Sequence, residues 1–351
     1  VIDRWQLSKA AKTMNRQDTA ASITHLVTLL RDAPKLPPEI RLLDLCTGTG
    51  CIPLLFRHEL YSARKDIGLH ALGVDISDEA LELARHNMQK LGKNRLDKEN
   101  DQLEFIKADV LLDPFADQYG GPLPFKVALN QHEYPPFWDI LISNPPYISP
   151  SGYWKTTTRS VRGYEPKLAL VPPFNIRRDD TQQGDMFYPR LFEVARDVEA
   201  KIVLLEVADL EQAQRVASRA RSLDIFDGIE IWREDPSATS DASTEESGFP
   251  LVGKGNARSV LCWRGAGSAW LGKAVGQDDA ARLFRSSSGR PPSHETPFAK
   301  KSLEPQFDPA LWNEELAKVA IEKVVRHTRF RRTGIFPPPG VHYSDWKPPK
   351  P

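Results

Sequence analysis

The sequence predicts an α/β protein built on one mostly parallel sheet with helices on both faces. Three observations predict it. Short apolar runs alternate with segments of helical period. Several of the runs end in an acid or a polar turn. The last two runs follow each other without an intervening helix, so they should pair antiparallel.

The elements follow in order. Ile23, Leu26, Val27, Leu29 and Leu30 have helical spacing over 20–32, and Pro34, Pro37 and Pro38 end that helix. Strands are expected at 42–46, 71–75, 103–109, 139–144, 201–207, 225–233 and 258–264. Helices are expected near 51–60, 78–91, 183–199 and 209–223. Six parallel strands with a reversed seventh resemble the Rossmann-like sheet of class I S-adenosylmethionine methyltransferases. Two insertions interrupt the pattern. Residues 113–137 are rich in Pro and Gly, and 235–256 read as a long flexible loop rich in Ser, Asp, Thr and Gly.

Composition narrows the class. The 351 residues are 40% hydrophobic and 27% charged, as in globular proteins, and no apolar run is long enough to span a membrane. Lys+Arg and Asp+Glu balance at 47 each, which argues against a surface built mainly for nucleic acid. Such contact is expected only through the basic run 323–332 (Lys323, Arg326, Arg329, Arg331, Arg332). Three cysteines fit a reducing compartment, and the Cys46/Cys51 pair lacks the further ligands of a zinc site, so no metal is expected. The chain starts at Val1, which reads as a fragment or processed form whose leader would lie upstream.

Two stretches carry chemistry. The first is Asp44-Leu45-Cys46-Thr47-Gly48-Thr49-Gly50, an apolar strand running into a glycine turn and a helix. Glycines let a ligand approach the backbone, and a helix start attracts anionic groups. The G-x-G-x-x-G fingerprint is not met: Cys46 and Pro53 stand at its first and third glycine positions. Asp75, about 25 residues past the turn, ends the second strand and can accept two ribose hydroxyls. Asp109 closes the third. Together these read as an S-adenosylmethionine site. Asp44 would face the methionine end and its ammonium, Asp75 the ribose and Asp109 the adenine amino group, with Thr47, Gly48, Gly50, Ile76 and Val110 also in the cofactor site.

The second stretch is Asn144-Pro145-Pro146-Tyr147, after the apolar run 139–143. Two prolines stiffen the loop and donate no backbone hydrogen bond, and Asn144 before them is pushed toward extended geometry. One side-chain oxygen, backbone carbonyls and a ring suit a planar –NH2 donor. Asn144 would also border the cofactor.

In that order, these motifs resemble an amino-group methyltransferase. The loop alone is shared with adenine-N6 and some guanine-N2 enzymes. Arg162-Gly163-Tyr164-Glu165-Pro166-Lys167-Leu168-Ala169-Leu170-Val171 is similar to the segment after the catalytic loop in HemK/PrmC-type protein-(glutamine-N5) methyltransferases. Gly184-Asp185 and Phe187-Tyr188 look like its continuation, and Arg16-Gln17-Asp18-Thr19 resembles an upstream signature in which Asn15 replaces proline. The resemblance covers about residues 14–265. It implies methylation of the glutamine in the Gly-Gly-Gln motif of a class I peptide-chain release factor. It implies catalysis by Asn144, Pro145, Pro146 and Tyr147, and a peptide groove shaped by Arg162, Glu165 and Pro166. The insertions and the C-terminal extension depart from the bacterial pattern and suggest a fungal, mitochondrial-type member, otherwise a cytoplasmic one, acting as a monomer.

The domain reading is then a remnant recognition helix and linker (1–39), the methyltransferase domain (40–265), a linker (266–306), and a C-terminal helix from Asp308 with a proline-rich tail (307–351). Two rivals stand beside it: a DNA or RNA adenine-N6 or guanine-N2 methyltransferase, and a binding subunit of the same fold without activity.

Overall fold

The computed structural model describes residues 17–92, 102–112, 121–239 and 248–273. Arg16, most of the expected linker, the helix from Asp308, the basic run and the tail lie outside the described residues.

The chain runs α1 (Gln17–Asp32), β1 (Glu39–Leu45), α2 (Cys51–Ala63), β2 (Gly68–Asp75), α3 (Asp78–Gly92), β3 (Gln102–Lys107), α4 (Phe125–Gln131) and β4 (Ile140–Ser143). It continues through the short helices α5 (Pro150–Lys155), α6 (Arg159–Tyr164) and α7 (Asp180–Gly184) to α8 (Phe187–Asp197) and β5 (Ile202–Glu206). Then come α9 (Leu210–Ser222), β6 (Gly228–Asp235), β7 (Leu251–Val252), β8 (Lys254–Trp263) and α10 (Ala266–Trp270). The sheet order is β3-β2-β1-β4-β5-β8-β6-β7. β1 to β5 pair in parallel, and β8 is antiparallel to both β5 and β6. The expected sheet is therefore present, with one addition. The loop expected to be flexible over 235–256 carries β7, a two-residue strand parallel to β6 at the edge.

Side-chain alternation explains why the strands read as unbroken apolar runs. Leu42, Ile140, Ile142, Ile202 and Leu204 face α1 and α2, against Leu26, Leu30, Phe56 and Leu60. Leu43, Leu45, Leu141, Val203 and Leu205 face the other way, against Leu191, Phe192, Ala213 and Ala217 of α8 and α9. A strand covered on both faces needs apolar residues at every position. The insertion 113–137 contains α4, whose Phe125, Ala128 and Leu129 are buried. Past residue 265, Trp270 of α10 and the following Leu271 are buried on the α1–α2 face, so the folded part runs on into the expected linker.

Gly228 is paired with Trp263 across β6 and β8, and a Cβ there would lie 2.1 Å from the indole. Backbone and a buried ring cannot both yield. Gly228→Ala should lower the free energy of unfolding by about 1–3 kcal/mol, the usual cost of overpacking, read from the urea midpoint. An unchanged midpoint would mean that Trp263 does not lie over this strand.

Candidate active site

The register of β1 against β4 assembles the site. Leu45 pairs with Ser143, and the buried Ser143 hydroxyl donates to the Leu45 carbonyl at 2.7 Å. Leu45 also pairs with Val74 of β2. The carboxyl ends of three adjacent strands therefore stop level. Their next residues are the glycine turn, Asp75 and Asn144. Open parallel sheets bind ligands at this edge, where helices diverge from the strand ends.

In the turn, Cys46, Gly48 and Gly50 have φ of 61°, 55° and 73°. Cys46 thus adopts the left-handed conformation that its glycine-like position demands, at a cost of about 1–2 kcal/mol. Strain of this kind collects at ligand-facing turns. Gly50 precedes α2, and a Cβ there would meet the Phe105 ring at 2.8 Å. Asp44 is fully buried and accepts from the Thr47 hydroxyl at 2.5 Å, which braces the turn from below. The Cys46 thiol is desolvated by burial and faces the Asp75 and Asp44 carboxylates, which hold its pKa well above the ordinary value.

Asp75 is half-buried. Its two oxygens accept from the backbone N–H of Gly48 at 2.7 Å and of Ser77 at 3.0 Å. It links the turn to the start of α3, and each carboxylate oxygen keeps capacity for a second donor. Ile76 beside it is exposed. Asp109 accepts from the N–H of Leu111 at 2.8 Å, while its backbone pairs with Leu123 and Phe125 of the insertion. Val110 is buried. Turn, half-buried acid and adjoining apolar side chain are the groups that a nucleoside with a charged tail requires.

Asn144 and Tyr147 are half-buried, and Pro145 and Pro146 between them are buried. The loop is held from two sides. From the α1 side, Asn144 Nδ2 donates to Thr19 Oγ1 in a long bond of 3.4 Å, and Thr19 donates to Glu206 Oε2. The Tyr147 hydroxyl donates to the other oxygen, Glu206 Oε1, at 3.1 Å. From beneath, Gln212 Nε2 donates to the Tyr147 carbonyl at 3.2 Å and to Asp185 Oδ1 at 2.9 Å, and Asp185 in turn binds Arg215. The Tyr188 hydroxyl donates to the Glu206 carbonyl at 2.9 Å, and burial holds its pKa well above the ordinary value. The ring of Tyr147 packs on the main core cluster. Its visible contacts therefore anchor the loop.

Glu206 is missing from the sequence reading. It is 9% exposed and ends β5 as Asp75 ends β2. The expected strand runs on to residue 207, which hides an acid that the structure puts at the strand's end. Gln212 carried no signal, since its role depends on where α9 returns against the loop.

Arg162 lies in α6, where its guanidinium donates to the Trp154 carbonyl at 3.2 Å and sits 5.3 Å from that ring's centroid. Glu165 caps the end of α6, and Pro166 is exposed. This segment follows the loop directly, and its Ile148 N–H bonds the Leu170 carbonyl. Within it Trp154, Phe174 and Ile176 are 68%, 78% and 86% exposed, an unusual amount of apolar surface near a candidate site.

Among the described residues, no helix is long and apolar enough to cross a membrane. No family model matches the chain. Curated relatives do. The chain is 37% identical over 132 residues to the release factor glutamine methyltransferase of Chlorobaculum tepidum, a match covering 38% of this chain and 35% of that one. It is 30% identical over 210 residues to the Schizosaccharomyces pombe protein named "Probable MRF1 mitochondrial N(5)-glutamine methyltransferase mtq1", covering 58% and 59%. It is 28% identical over 184 residues to the ribosomal protein uL3 glutamine methyltransferase of Xanthomonas campestris pv. campestris, covering 49% and 43%. The chain thus spans less than two thirds of the length of these relatives. Among solved structures, a "putative class i s-adenosylmethionine-dependent methyltransferase" of Listeria monocytogenes is 14% identical with a TM-score of 0.39, covering 70% of this chain and 59% of that one. A methyltransferase of Aquifex aeolicus is 12% identical with a TM-score of 0.31, covering 64% and 81%. Both are too distant to add to the topology described above.

The support beneath the loop generates a prediction. Tyr147→Phe removes one partly buried hydrogen bond to a carboxylate and should lower the free energy of unfolding by about 1–3 kcal/mol. Coincident denaturation curves for the two proteins would contradict the anchoring role.

Proposed function

We propose, from its kinship with the HemK/PrmC-type protein-(glutamine-N5) methyltransferases, that this chain transfers a methyl group from S-adenosylmethionine to a glutamine side-chain amide in a protein. The observation that carries the proposal is the stiff Asn144–Tyr147 loop on the strand next to the one that ends in the glycine turn, in a register that ends both strands level at one edge of the sheet. The substrate supported best is the Gly-Gly-Gln motif of a class I release factor, in mitochondria if the chain follows its fission-yeast relative. The exposed Trp154, Phe174 and Ile176, with Arg162, Glu165 and Pro166, give a protein substrate a surface beside the loop.

Bound S-adenosylmethionine supplies an electrophilic methyl group on a sulfonium. Asp75 would hold the ribose hydroxyls, the turn from Asp44 through Thr47, Gly48 and Gly50 the amino-acid end, and Ile76, Asp109 and Val110 the adenine. A carboxamide nitrogen is a poor nucleophile because its lone pair is delocalised. The protein's task is therefore positioning, which can supply about 7–11 kcal/mol. Asn144 Oδ1 and the Pro145 carbonyl would accept the two amide protons. That fixes the plane of the amide, aims its nitrogen along the line of attack, and lends it electron density as it pyramidalises. Methyl transfer to that nitrogen would leave the electron pair of the broken carbon–sulfur bond on the cofactor. The methylated nitrogen, now acidic, gives its proton to water. Pro145 and Pro146 hold the two acceptors without adding a donor that would compete.

Mass spectrometry of a Gly-Gly-Gln-containing release factor after incubation with methyl-labelled cofactor tests the proposal. Label on that glutamine is expected, and label on uL3 or an oligonucleotide instead would replace the substrate. Asn144→Ala should lower kcat by about 10²–10³-fold, the scale seen when one preorganised polar group leaves an active site. Its affinity for S-adenosylhomocysteine in calorimetry should stay near wild type. Asp75→Ala should weaken that affinity by about 2–4 kcal/mol through lost hydrogen bonds to a charged acceptor. An unchanged dissociation constant would put the ribose elsewhere.

A further inference from the structure

We infer that Glu206 sets the orientation of the Asn144 amide through the Thr19 hydroxyl, and so decides which end of that amide meets the ligand. The inference rests on the acceptor role proposed for Asn144 and goes beyond it by naming what enforces it.

A side-chain amide is nearly symmetric in shape, so packing alone does not choose between its oxygen and its nitrogen. The two ends differ in function. An oxygen facing the substrate –NH2 accepts a proton, whereas a nitrogen there would set two donors against each other. The choice must come from a neighbour of fixed polarity.

Glu206 supplies that polarity. An ionised carboxylate only accepts. Its Oε2 takes the Thr19 hydroxyl hydrogen, and its Oε1 takes that of Tyr147. Thr19 has one hydrogen, and once it points at Glu206 the hydroxyl can only accept toward Asn144. Asn144 must then present Nδ2, as it does at 3.4 Å, which turns Oδ1 the other way. The polarity passes from an acceptor to a hydroxyl to an amide and ends in an acceptor aimed away from α1. The same carboxylate thereby holds both ends of the loop, residue 147 directly and residue 144 through Thr19. Thr19 stands 187 positions before Glu206 in sequence, so the relay exists only when α1 is docked. Ser22 makes the neighbouring tie, with its hydroxyl 3.1 Å from that of Ser259 on β8. Neither Glu206 nor Thr19 need touch the substrate. Both are positioning residues.

The test compares Thr19→Val, Thr19→Ser, Glu206→Gln and the double variant Thr19→Val/Glu206→Gln with the wild-type chain. Valine keeps the shape of threonine without its hydroxyl. Kinetics on the Gly-Gly-Gln protein should show kcat down by about 10-fold or more for Thr19→Val and Glu206→Gln, with KM for S-adenosylmethionine little changed. Thr19→Ser should restore most of kcat. Because the groups act in series, the double variant should be no slower than the slower single one. Full kcat in Thr19→Val, or losses that multiply, would overturn the inference. A second readout needs no turnover. In ¹H–¹⁵N spectra, the Asn144 side-chain NH2 signals should move in Thr19→Val and return in Thr19→Ser. Signals that stay in place would overturn the inference even if the wild-type chain methylates glutamine. Signals that move in Thr19→Val and return in Thr19→Ser, with a wild-type chain inactive on glutamine, would uphold the relay and refute the proposed substrate.

Discussion

The ladder between β1 and β4 is the constraint on which the rest depends. Both strands lie inside the sheet, hydrogen-bonded on each side and covered on each face. A slip of one residue would turn every side chain of β4 to the wrong layer, so the register is strongly specified. That register sets Ser143 opposite Leu45 and delivers a stiff acceptor loop beside a glycine turn. The chemistry needs no further long-range coincidence, only two strands that end together.

Around this pairing the structure spends its polar interactions on rigidity. Asp44 and Asp75 brace the turn with Thr47 and Gly48, and Glu206 and Gln212 brace the loop through Thr19, Tyr147 and the Tyr147 carbonyl. Buried acids are costly unless their oxygens are hydrogen-bonded; both oxygens of Asp75 and of Glu206 carry donors, and Oδ2 of Asp44 carries one. A site that works by positioning gains from such bracing, because a displacement of about 1 Å can cost 10²-fold in rate.

Much of this is legible in the sequence. The parallel strands announce themselves as short apolar runs because both of their faces are covered, and the reversed strand because no helix precedes it. Asp75 and the Asn144–Tyr147 loop stand out because each punctuates the end of such a run. Other features are hidden for physical reasons. Phe125, Ala128 and Leu129 have helical spacing, but the prolines and glycines around them mask a helix this short. β7 has two residues, too few for any period. The helices after the loop, α5 to α7, are a single turn or two each, below the length at which periodicity speaks. Glu206 lies one residue short of the end of the apolar run that the sequence shows, so it does not punctuate that run as Asp75 does. Its partners come from opposite ends of the fold, and only the tertiary structure brings Thr19 and Tyr147 to it.

The central claim is that the turn and the loop line one crevice and present a bound sulfur to Asn144. A crystal structure with S-adenosylhomocysteine tests it most directly. The account predicts ribose hydroxyls on the Asp75 carboxylate and the thioether sulfur facing the Asn144–Tyr147 loop, with room between them for a methyl group and an amide nitrogen. A nucleoside bound away from Asp75, or a sulfur turned from Asn144, would contradict it.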